Sequence, residues 1–469
     1  MKKIIGFIFN ADNVFSRIIC SLVYIVVYDL AFNGFVFKLF HYMGIDYIPM
    51  PATTYMIWAV ISIFPILFYK GIKVLSSFFT IFLYIMVYIP FVHAIFTMWG
   101  IDTFTKYTYS LLMSFLFSLY FCIGTSNTIF KNIIIAPQIP FKWVEFFTIL
   151  LTAILVITNI GSMHFVNIFT QSDLMYELRA QNAENAEGGS TILAYIKGAL
   201  FGAFYPFLLI NYLSEKKWLK TALITAAYFL LFMIDMQKLT FFMPFALIAL
   251  CFFIKRQRNA FNMRLHSTVM YLFSAASIGI INMKDEVIQL GAGFIVILRT
   301  TAVAGWLTQY YLRFFSVNDK PYTLYSHINI INLLTDYYPY ADSLGKTVAY
   351  GSQNANANFL LTDGVAAAGI FGLLLIGLVF YVLLHILNSI SYRYRLSDLL
   401  VIFLPTLSYI LNTSLFTTLL SNGLLILILL LGCTENPIDI RLNNNNNEQK
   451  SLYHHQYRGT LQIPHLLTH

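Results

Sequence analysis

The chain has 469 residues, of which 58% are hydrophobic, 17% are aromatic and only 11% are charged. This composition excludes an ordinary soluble domain, in which roughly 25% of the residues are charged. The formal net charge of +8 at pH 7 does not indicate nucleic-acid binding, because most lysines and arginines lie in short islands between apolar runs.

The apolar runs are long enough to cross a hydrocarbon core about 30 Å thick. Backbone groups in lipid must satisfy one another, so runs of this length predict helices. The pattern therefore predicts an all-α polytopic membrane protein with about twelve spans. In chain order the predicted spans cover residues 15–40, 53–69, 74–97, 107–124, 143–164, 191–213, 218–236, 240–254, 265–282, 359–387, 398–416 and 418–433.

The basic islands predict the orientation, because short cytoplasmic loops are enriched in lysine and arginine. All the islands fall on one side if the N-terminus is cytoplasmic, and both termini are then predicted to lie in the cytoplasm. The islands are Lys2/Lys3, Lys70/Lys73, Lys131/Lys142, Lys216/Lys217/Lys220, Lys255/Arg256/Arg258/Arg264 and Arg393/Arg395.

Two segments of the predicted transmembrane domain, residues 1–435, are longer than ordinary connections, and both fall on the outer face. They cover 165–190 and 283–358, and long loops of this kind are usually functional. Within the second loop, 286–317 is apolar enough to form helices that lie on or dip into the membrane. The polar, asparagine-rich segment 436–469 is predicted to be a disordered cytoplasmic tail.

Lysine and arginine are depleted on the outer face of membrane proteins, so cations on the predicted outer face indicate a function. Arginine offers a rigid fork of donors that matches phosphate oxygens. Several cations from separate segments could therefore hold a diphosphate at the outer surface. These candidate diphosphate ligands are Arg179, Lys238, Arg299 and Arg313.

The alternative for each cation is a structural partner. Arg179 could pair with Glu177, Lys238 could pair with Asp235, and long side chains could extend to lipid headgroups. Two further ionisable residues, Asp29 and Lys197, lie within predicted spans, and their partners are not evident from the sequence.

Two residues are candidates for proton transfer. His327 lies in the long second loop and could act as a general base near neutral pH. Asp363 lies where an apolar helix should begin, at a place where a carboxylate is costly. The alternatives are a structural loop histidine and a helix cap formed by Asp363 together with Thr362.

The segment before Asp363 carries an alternating row of amides, Asn354, Asn356 and Asn358. In an extended chain these side chains point to the same face, where amides that donate and accept suit sugar hydroxyls. The alternative is a polar, turn-rich loop. The four cysteines stand singly, without a metal-ligand spacing, so no metal site is predicted.

The motifs Tyr176-Glu-Leu-Arg179, Gln237-Lys238-Leu-Thr and Arg299, with the block from Tyr350 through Asp363-Gly to Gly369-Ile-Phe-Gly, resemble those of the Wzy-type O-antigen polymerases. The resemblance implies a GT-C-like, cofactor- and metal-independent glycosyltransferase of the bacterial inner membrane. It implies an undecaprenyl-diphosphate-linked glycan donor and acceptor that meet at the periplasmic face.

In this family the loop arginines are functional, which implies diphosphate-binding roles for Arg179 and Arg299 and, in the lysine turn, for Lys238. The resemblance also implies contact with membrane lipids and with a chain-length regulator protein, and no nucleic-acid partner. A lipid-linked oligosaccharide flippase or other transporter, and an O-antigen ligase, are the alternative functions.

Overall fold

A computed structural model describes residues 13–123, 135, 138–167, 171, 174–175, 177–178, 191–257 and 259–435. Its described part is mostly helical, with one short parallel pair of strands. Nine helices in this part are long and apolar enough to cross a membrane, and two shorter apolar helices, Ala52–Phe68 and Leu424–Cys433, accompany them. The predicted class of an all-α protein with many membrane-length helices is confirmed. The predicted tail, 436–469, lies outside the described residues.

Most of the elements follow one another along the chain with short connections, and the longer connections cover residues 124–138, 163–191 and 318–359. The helices are α1 Val14–Met43, α2 Ala52–Phe68, α3 Leu75–Thr97, α4 Thr103–Ile123, α5 Phe141–Ser162, α6 Ile192–Ser214, α7 Trp218–Asp235, α8 Lys238–Gln257, α9 Asn259–Ile281, α10 Glu286–Val317, α11 Asn329–Thr335, α12 Leu344–Val348, α13 Leu360–Ser391, α14 Leu396–Ile402, α15 Leu404–Ile410, α16 Leu415–Leu420 and α17 Leu424–Cys433, and the strands are β1 Ile139–Pro140 and β2 Thr434–Glu435.

One end of the helix bundle, the basic end, carries several of the predicted cytoplasmic cations. Lys255 and Arg395 both bind Asp398, at 3.6 and 3.0 Å. Lys220 binds Glu145 at 2.6 Å. These residues lie at the starts of α5, α7 and α14 and at the end of α8, so the islands at 216–220, 255–256 and 393–395 meet at one end.

The opposite end is held together around Asp46, in the loop after α1. Its side chain accepts a hydrogen bond from the Trp99 N–H, at 3.2 Å, in the loop after α3. Its backbone carbonyl accepts from Gln309 in α10, at 2.9 Å. The start of α3 lies beside the end of α13, where the Ser76 N–H donates to Asn388 at 2.9 Å. Because α13 leads directly to the basic end, the Asp46 loop lies at the far end of the bundle.

Helix α10 forms one continuous helix, where the sequence predicted helices lying on or dipping into the membrane. Gly293 packs directly against the Phe35 ring, and Arg313 donates to the Gly44 carbonyl at 3.1 Å. These contacts are ~30 Å apart along α10 and ~13 Å apart along α1. Helix α10 is therefore strongly inclined to α1. By length and composition it could also cross a membrane, so its placement in the bilayer stays a prediction.

The predicted span 359–387 is not one straight helix. Helix α13 is interrupted at Ala368–Gly369, where Gly369 has a φ of 58°, a conformation that glycine adopts readily. The two pieces fold back on each other, because the Phe359 and Phe380 rings lie 4.7 Å apart and Gly372 packs against the Gly364 carbonyl. Residues 360–367 thus form a re-entrant segment, packed antiparallel to the longer helix that follows it.

The predicted spans 398–416 and 418–433 are likewise divided, into the four short helices α14 to α17. The turn between α16 and α17 lies against α6, where Gly198 and Gly202 leave room for the backbone carbonyls of Ser421 and Asn422. A methyl group at either glycine would overlap these carbonyl oxygens, so this close approach needs glycine. The turn before α16, residues 411–414, lies next to the re-entrant segment.

Candidate active site

A polar cavity of about 390 Å³ opens between α10, α11, α12, the strap 354–358 and the α15–α16 turn. The polar groups of its wall are amides, hydroxyls and one imidazole, and Leu344, Gly345 and Ala357 also line it. Among the described residues that line it there is no lysine, arginine or carboxylate. The lining residues are Tyr311, Ser326, His327, Asn329, Asn332, Tyr338, Ser343, Leu344, Gly345, Asn356, Ala357, Thr362, Asn412, Thr413, Ser414 and Thr417.

The two predicted proton-transfer residues form a direct pair at this wall. His327 Nε2 lies 2.9 Å from Asp363 Oδ1. Ser414 Oγ donates to the same carboxylate at 2.7 Å, and the Leu415 N–H donates to Oδ2 at 2.6 Å. Asp363 is fully buried and does not line the cavity, whereas His327 and Ser414 do. The carboxylate therefore acts on the cavity through its two neighbours.

The re-entrant segment places Asp363 at this junction. Residues Leu360–Val365 form a π-helical stretch, a widened turn that is frequent at functional sites. The carboxylate does not cap its own helix with Thr362, which was the structural alternative. It instead meets the start of α16, where backbone N–H groups have no partner inside the helix.

A strained loop presents His327 to the carboxylate. Leu324 and Tyr325 both have positive φ, 47° and 65°, which is costly for residues other than glycine. The Thr323 and Leu324 N–H groups donate to the carbonyls of Ala366 and Ala367, at 2.8 and 3.0 Å. These bonds satisfy carbonyls exposed by the break in α13 and join the loop to the re-entrant segment.

Both ring nitrogens of His327 are engaged. Nε2 faces Asp363, and Nδ1 lies 3.0 Å from Thr323 Oγ1. The Thr323 hydroxyl is also 3.2 Å from the Ala366 carbonyl, so it can donate there instead. When it does, the Nδ1 lone pair is no longer occupied by the Thr323 proton and can act as an acceptor.

Two tyrosines, one beside the pair and one in the cavity wall, keep their protons. Burial, followed by the negative charge of Asp363, raises the pKa of Tyr325, whose buried hydroxyl has no hydrogen-bond partner among the described residues. Burial raises the pKa of Tyr338, which lines the cavity. Both phenols are therefore neutral donors at physiological pH.

The predicted amide row is divided in the structure. Exposed and buried residues alternate over 354–357, and Asn354 and Asn356 are both exposed, but only Asn356 lines the cavity. Asn358 is buried, and its Oδ1 accepts from the Leu360 N–H at 3.1 Å. The expectation that all three amides share one face is wrong for Asn358, because the chain turns into α13 there.

Two of the predicted diphosphate ligands do not line the cavity. Arg313 forms an ion pair with Asp46 and is held at the far end of the bundle. Arg299 is exposed, with its guanidinium 5.5 Å from the centre of the Phe294 ring. It lies ~18 Å along α10 from Tyr311, which lines the cavity. Their proposed contact with diphosphate stays a prediction.

Lys238 is half-buried at the start of α8, beside the turn in which Asp235 accepts from the Gln237 N–H and from Thr240. Arg179 lies outside the described residues. The described part of segment 165–190 reaches this turn, because Val166 and Met175 pack against Phe232 and Met236. The diphosphate role of Lys238 and Arg179 stays a prediction.

Several cavity residues escaped the sequence analysis. Asn412 and Ser414 lie inside the predicted span 398–416, and Asn329 and Asn332 lie one turn apart in the long loop. The available signal was the cluster Asn412-Thr-Ser414, which is unusually polar for a membrane-length run and is typical of a helix start.

The described residues contain no group of three or more His, Cys, Asp or Glu side chains that could hold a metal ion. The fold and site define a multi-pass helical membrane protein with a polar cavity beside a buried His–Asp pair. No family model, curated protein or solved structure matches the chain.

Proposed function

We propose that this protein polymerises undecaprenyl-diphosphate-linked oligosaccharide repeat units, as an O-antigen polymerase does, by glycosyl transfer. The observation that carries the proposal is the cavity wall of amides and hydroxyls around His327. Groups that both donate and accept hydrogen bonds suit a saccharide, whose hydroxyls do the same. A cavity of this size holds a small number of sugar rings.

In the proposed reaction an acceptor sugar hydroxyl lies beside His327. The proton of this hydroxyl passes to His327 Nδ1 while the hydroxyl oxygen bonds to the anomeric carbon of the donor. The bond from that carbon to the diphosphate breaks, and the diphosphate keeps the electron pair. Asp363 stabilises the imidazolium through Nε2, in the way a buried carboxylate orients a catalytic histidine.

The described cavity wall contains no lysine or arginine, so the positive charge for the leaving diphosphate must come from residues outside this wall. Lys238 and Arg179 are the first candidates, since the loop before Arg179 packs on the α7–α8 turn, and Arg299 is the third. Cations at the departing oxygen lower the barrier because negative charge develops there. The ion pair with Asp46 makes Arg313 the weakest of the four candidates.

The proposed location is a bacterial inner membrane, with both termini in the cytoplasm. The cavity residues connect to the far end of the bundle through α10, and the cations of the basic end lie opposite. The positive-inside rule supports a periplasmic location for the cavity, where a lipid-linked donor and acceptor can meet. Membrane lipids and a chain-length regulator are the further partners of this proposal.

A second candidate function is transport of a lipid-linked oligosaccharide. The break in α13 and the divided helices α14 to α17 favour it, because discontinuous helices at a polar site are common in secondary transporters. Ligation of finished glycan to a lipid core would use the same proposed chemistry as polymerisation with a different acceptor.

Deleting the gene and examining the surface glycan distinguishes these functions. Loss of a polymerase leaves single repeat units on the acceptor. Loss of a ligase leaves long glycan attached to its polyprenyl carrier, and loss of a transporter leaves single units on the cytoplasmic side. Long surface glycan of normal abundance in the deletion strain would contradict all three.

Asn356 and Asn354 offer a matched pair for the saccharide assignment. We expect Asn356→Ala to reduce the rate of glycan elongation about tenfold, since a lost hydrogen bond to a bound hydroxyl costs ~1.5 kcal/mol. Asn354→Ala removes an exposed amide that does not line the cavity and should elongate normally. Elongation is measured in isolated membranes at equal protein levels. Equal elongation rates for the two variants would contradict the assignment of the strap to the sugar site.

A further inference from the structure

A second His–Asp pair lies inside the bundle, away from the cavity. His93 Nε2 in α3 lies 2.9 Å from Asp29 Oδ1 in α1, and the Tyr47 hydroxyl donates to the same oxygen at 3.1 Å. His93 is fully buried, and Asp29 is 8% exposed. Asp29 lies near the middle of α1, at a depth where an ionisable side chain is costly and usually functional.

The two His–Asp pairs differ in how many of their carboxylate oxygens accept hydrogen bonds. Both oxygens of Asp363 accept hydrogen bonds, from His327, Ser414 and the Leu415 N–H. At Asp29 the two donors converge on Oδ1, and in the described part of the chain no donor reaches Oδ2. The Asp29 carboxylate therefore retains acceptor capacity that Asp363 lacks.

The neighbours of the Asp29 pair are also unsatisfied. His93 Nδ1 and Trp58 Nε1 are buried without a hydrogen-bond partner among the described residues, and so is the Tyr28 hydroxyl. The Trp58 and Tyr28 rings lie 5.6 and 5.0 Å from the His93 ring. Each such group costs ~1–3 kcal/mol, so a cluster of them beside a carboxylate marks a site that exchanges something small and polar.

The packing around His93 limits which small polar species can bind there. Aromatic rings enclose His93, with Phe32 4.8 Å away and Tyr47 stacked at 6.2 Å. A metal ion needs several further ligands, and the described residues contain no group of three or more metal-binding side chains. The smallest species that neutralises a carboxylate in this setting is a proton.

We propose that Asp29 and His93 form a proton-binding site in the membrane interior, which exchanges its proton through the half-buried Tyr47 on the loop after α1. The other titratable groups that face the pair are Tyr28 on α1 and Tyr55 on α2. Burial, followed by the charge of Asp29, raises the pKa of Tyr47, so this phenol stays a neutral donor. The site is independent of the substrate that the cavity takes.

A hydrophobic carbodiimide tests the proposal, because it adds to protonated carboxyl groups and leaves carboxylates unmodified. The purified full-length protein is labelled with dicyclohexylcarbodiimide between about pH 6 and about pH 9, and the modified residue is identified by mass spectrometry. We expect labelling of Asp29 that falls at least about tenfold over this range. We expect no labelling of the saturated Asp363, which serves as the internal control.

Two variants sharpen the test. Asp29→Asn should abolish labelling at this position. Tyr47→Phe removes one donor to the carboxylate and should raise labelling about fivefold at alkaline pH, the factor expected for a lost hydrogen bond. Unlabelled Asp29, labelling that is independent of pH, or an unchanged Tyr47→Phe profile would overturn the proposal. Protection of Asp29 by sodium ions would also overturn it, in favour of a cation site.

Discussion

Replacing Asp363 with alanine is expected to destabilise this protein by ~3–5 kcal/mol, because it removes the partner of several buried groups at once. His327, Ser414 and the Leu415 N–H would all lose their shared acceptor. The re-entrant segment and the start of α16 would then be held together by packing alone. The measurement is the thermal unfolding temperature and the folded yield of the purified protein in detergent.

Two further substitutions calibrate this result. Asp363→Asn keeps the shape and part of the acceptor capacity, so it should fall between the wild type and Asp363→Ala. Asp342→Ala removes an exposed carboxylate near the cavity and should change stability by less than about 0.5 kcal/mol. If Asp363→Ala unfolds at the wild-type temperature, the carboxylate does not organise the site as described.

His327→Gln is expected to lower glycan elongation by ~10²–10⁴-fold, the usual contribution of a positioned general base. A glutamine amide can still donate to Asp363, so the fold should remain intact, but it cannot accept a proton from a sugar hydroxyl. Elongation is followed in membranes, and the unfolding temperature of the same variant is measured beside it.

Chemical rescue separates catalysis from structure at this position. His327→Ala opens space next to the cavity, and added imidazole should restore part of its activity if the ring carries a proton. The exposed His41 at the end of α1 provides the control, since His41→Ala should elongate normally. Full activity of His327→Gln would remove the base from the proposed mechanism.

Much of the fold was predictable because membrane-length helices follow from apolar length alone. The deviations occur where backbone geometry overrides hydropathy. The run at 359–387 reads as one span, yet Gly369 breaks it and the first part turns back. Hydropathy cannot detect this break, because both pieces are apolar, and the polar atoms that satisfy the broken backbone come from the distant loop at 323–324.

The site was predictable as individual residues but not as an arrangement. His327 and Asp363 each stand out as ionisable groups in unusual places, and only the break in α13 brings them together. Ser414 was not predicted because a serine inside a membrane-length run usually bonds to its own helix. Asn358 was assigned to the sugar face by strict alternation, which fails at the residue where the extended strap becomes helical.

The re-entrant segment has a consequence for how the chain enters the membrane. Its interrupted backbone cannot remain alone in lipid, where every polar group must be satisfied. The loop at 323–324 is synthesised earlier and can satisfy the carbonyls of this segment at once. Ser414, which donates to Asp363, is synthesised 51 residues after it. During translation the segment must therefore stay near water or inside the insertion machinery until α16 has emerged. A chain that ends before Ser414 would fail to seat Asp363 and would present a recognisable target to membrane quality-control proteases.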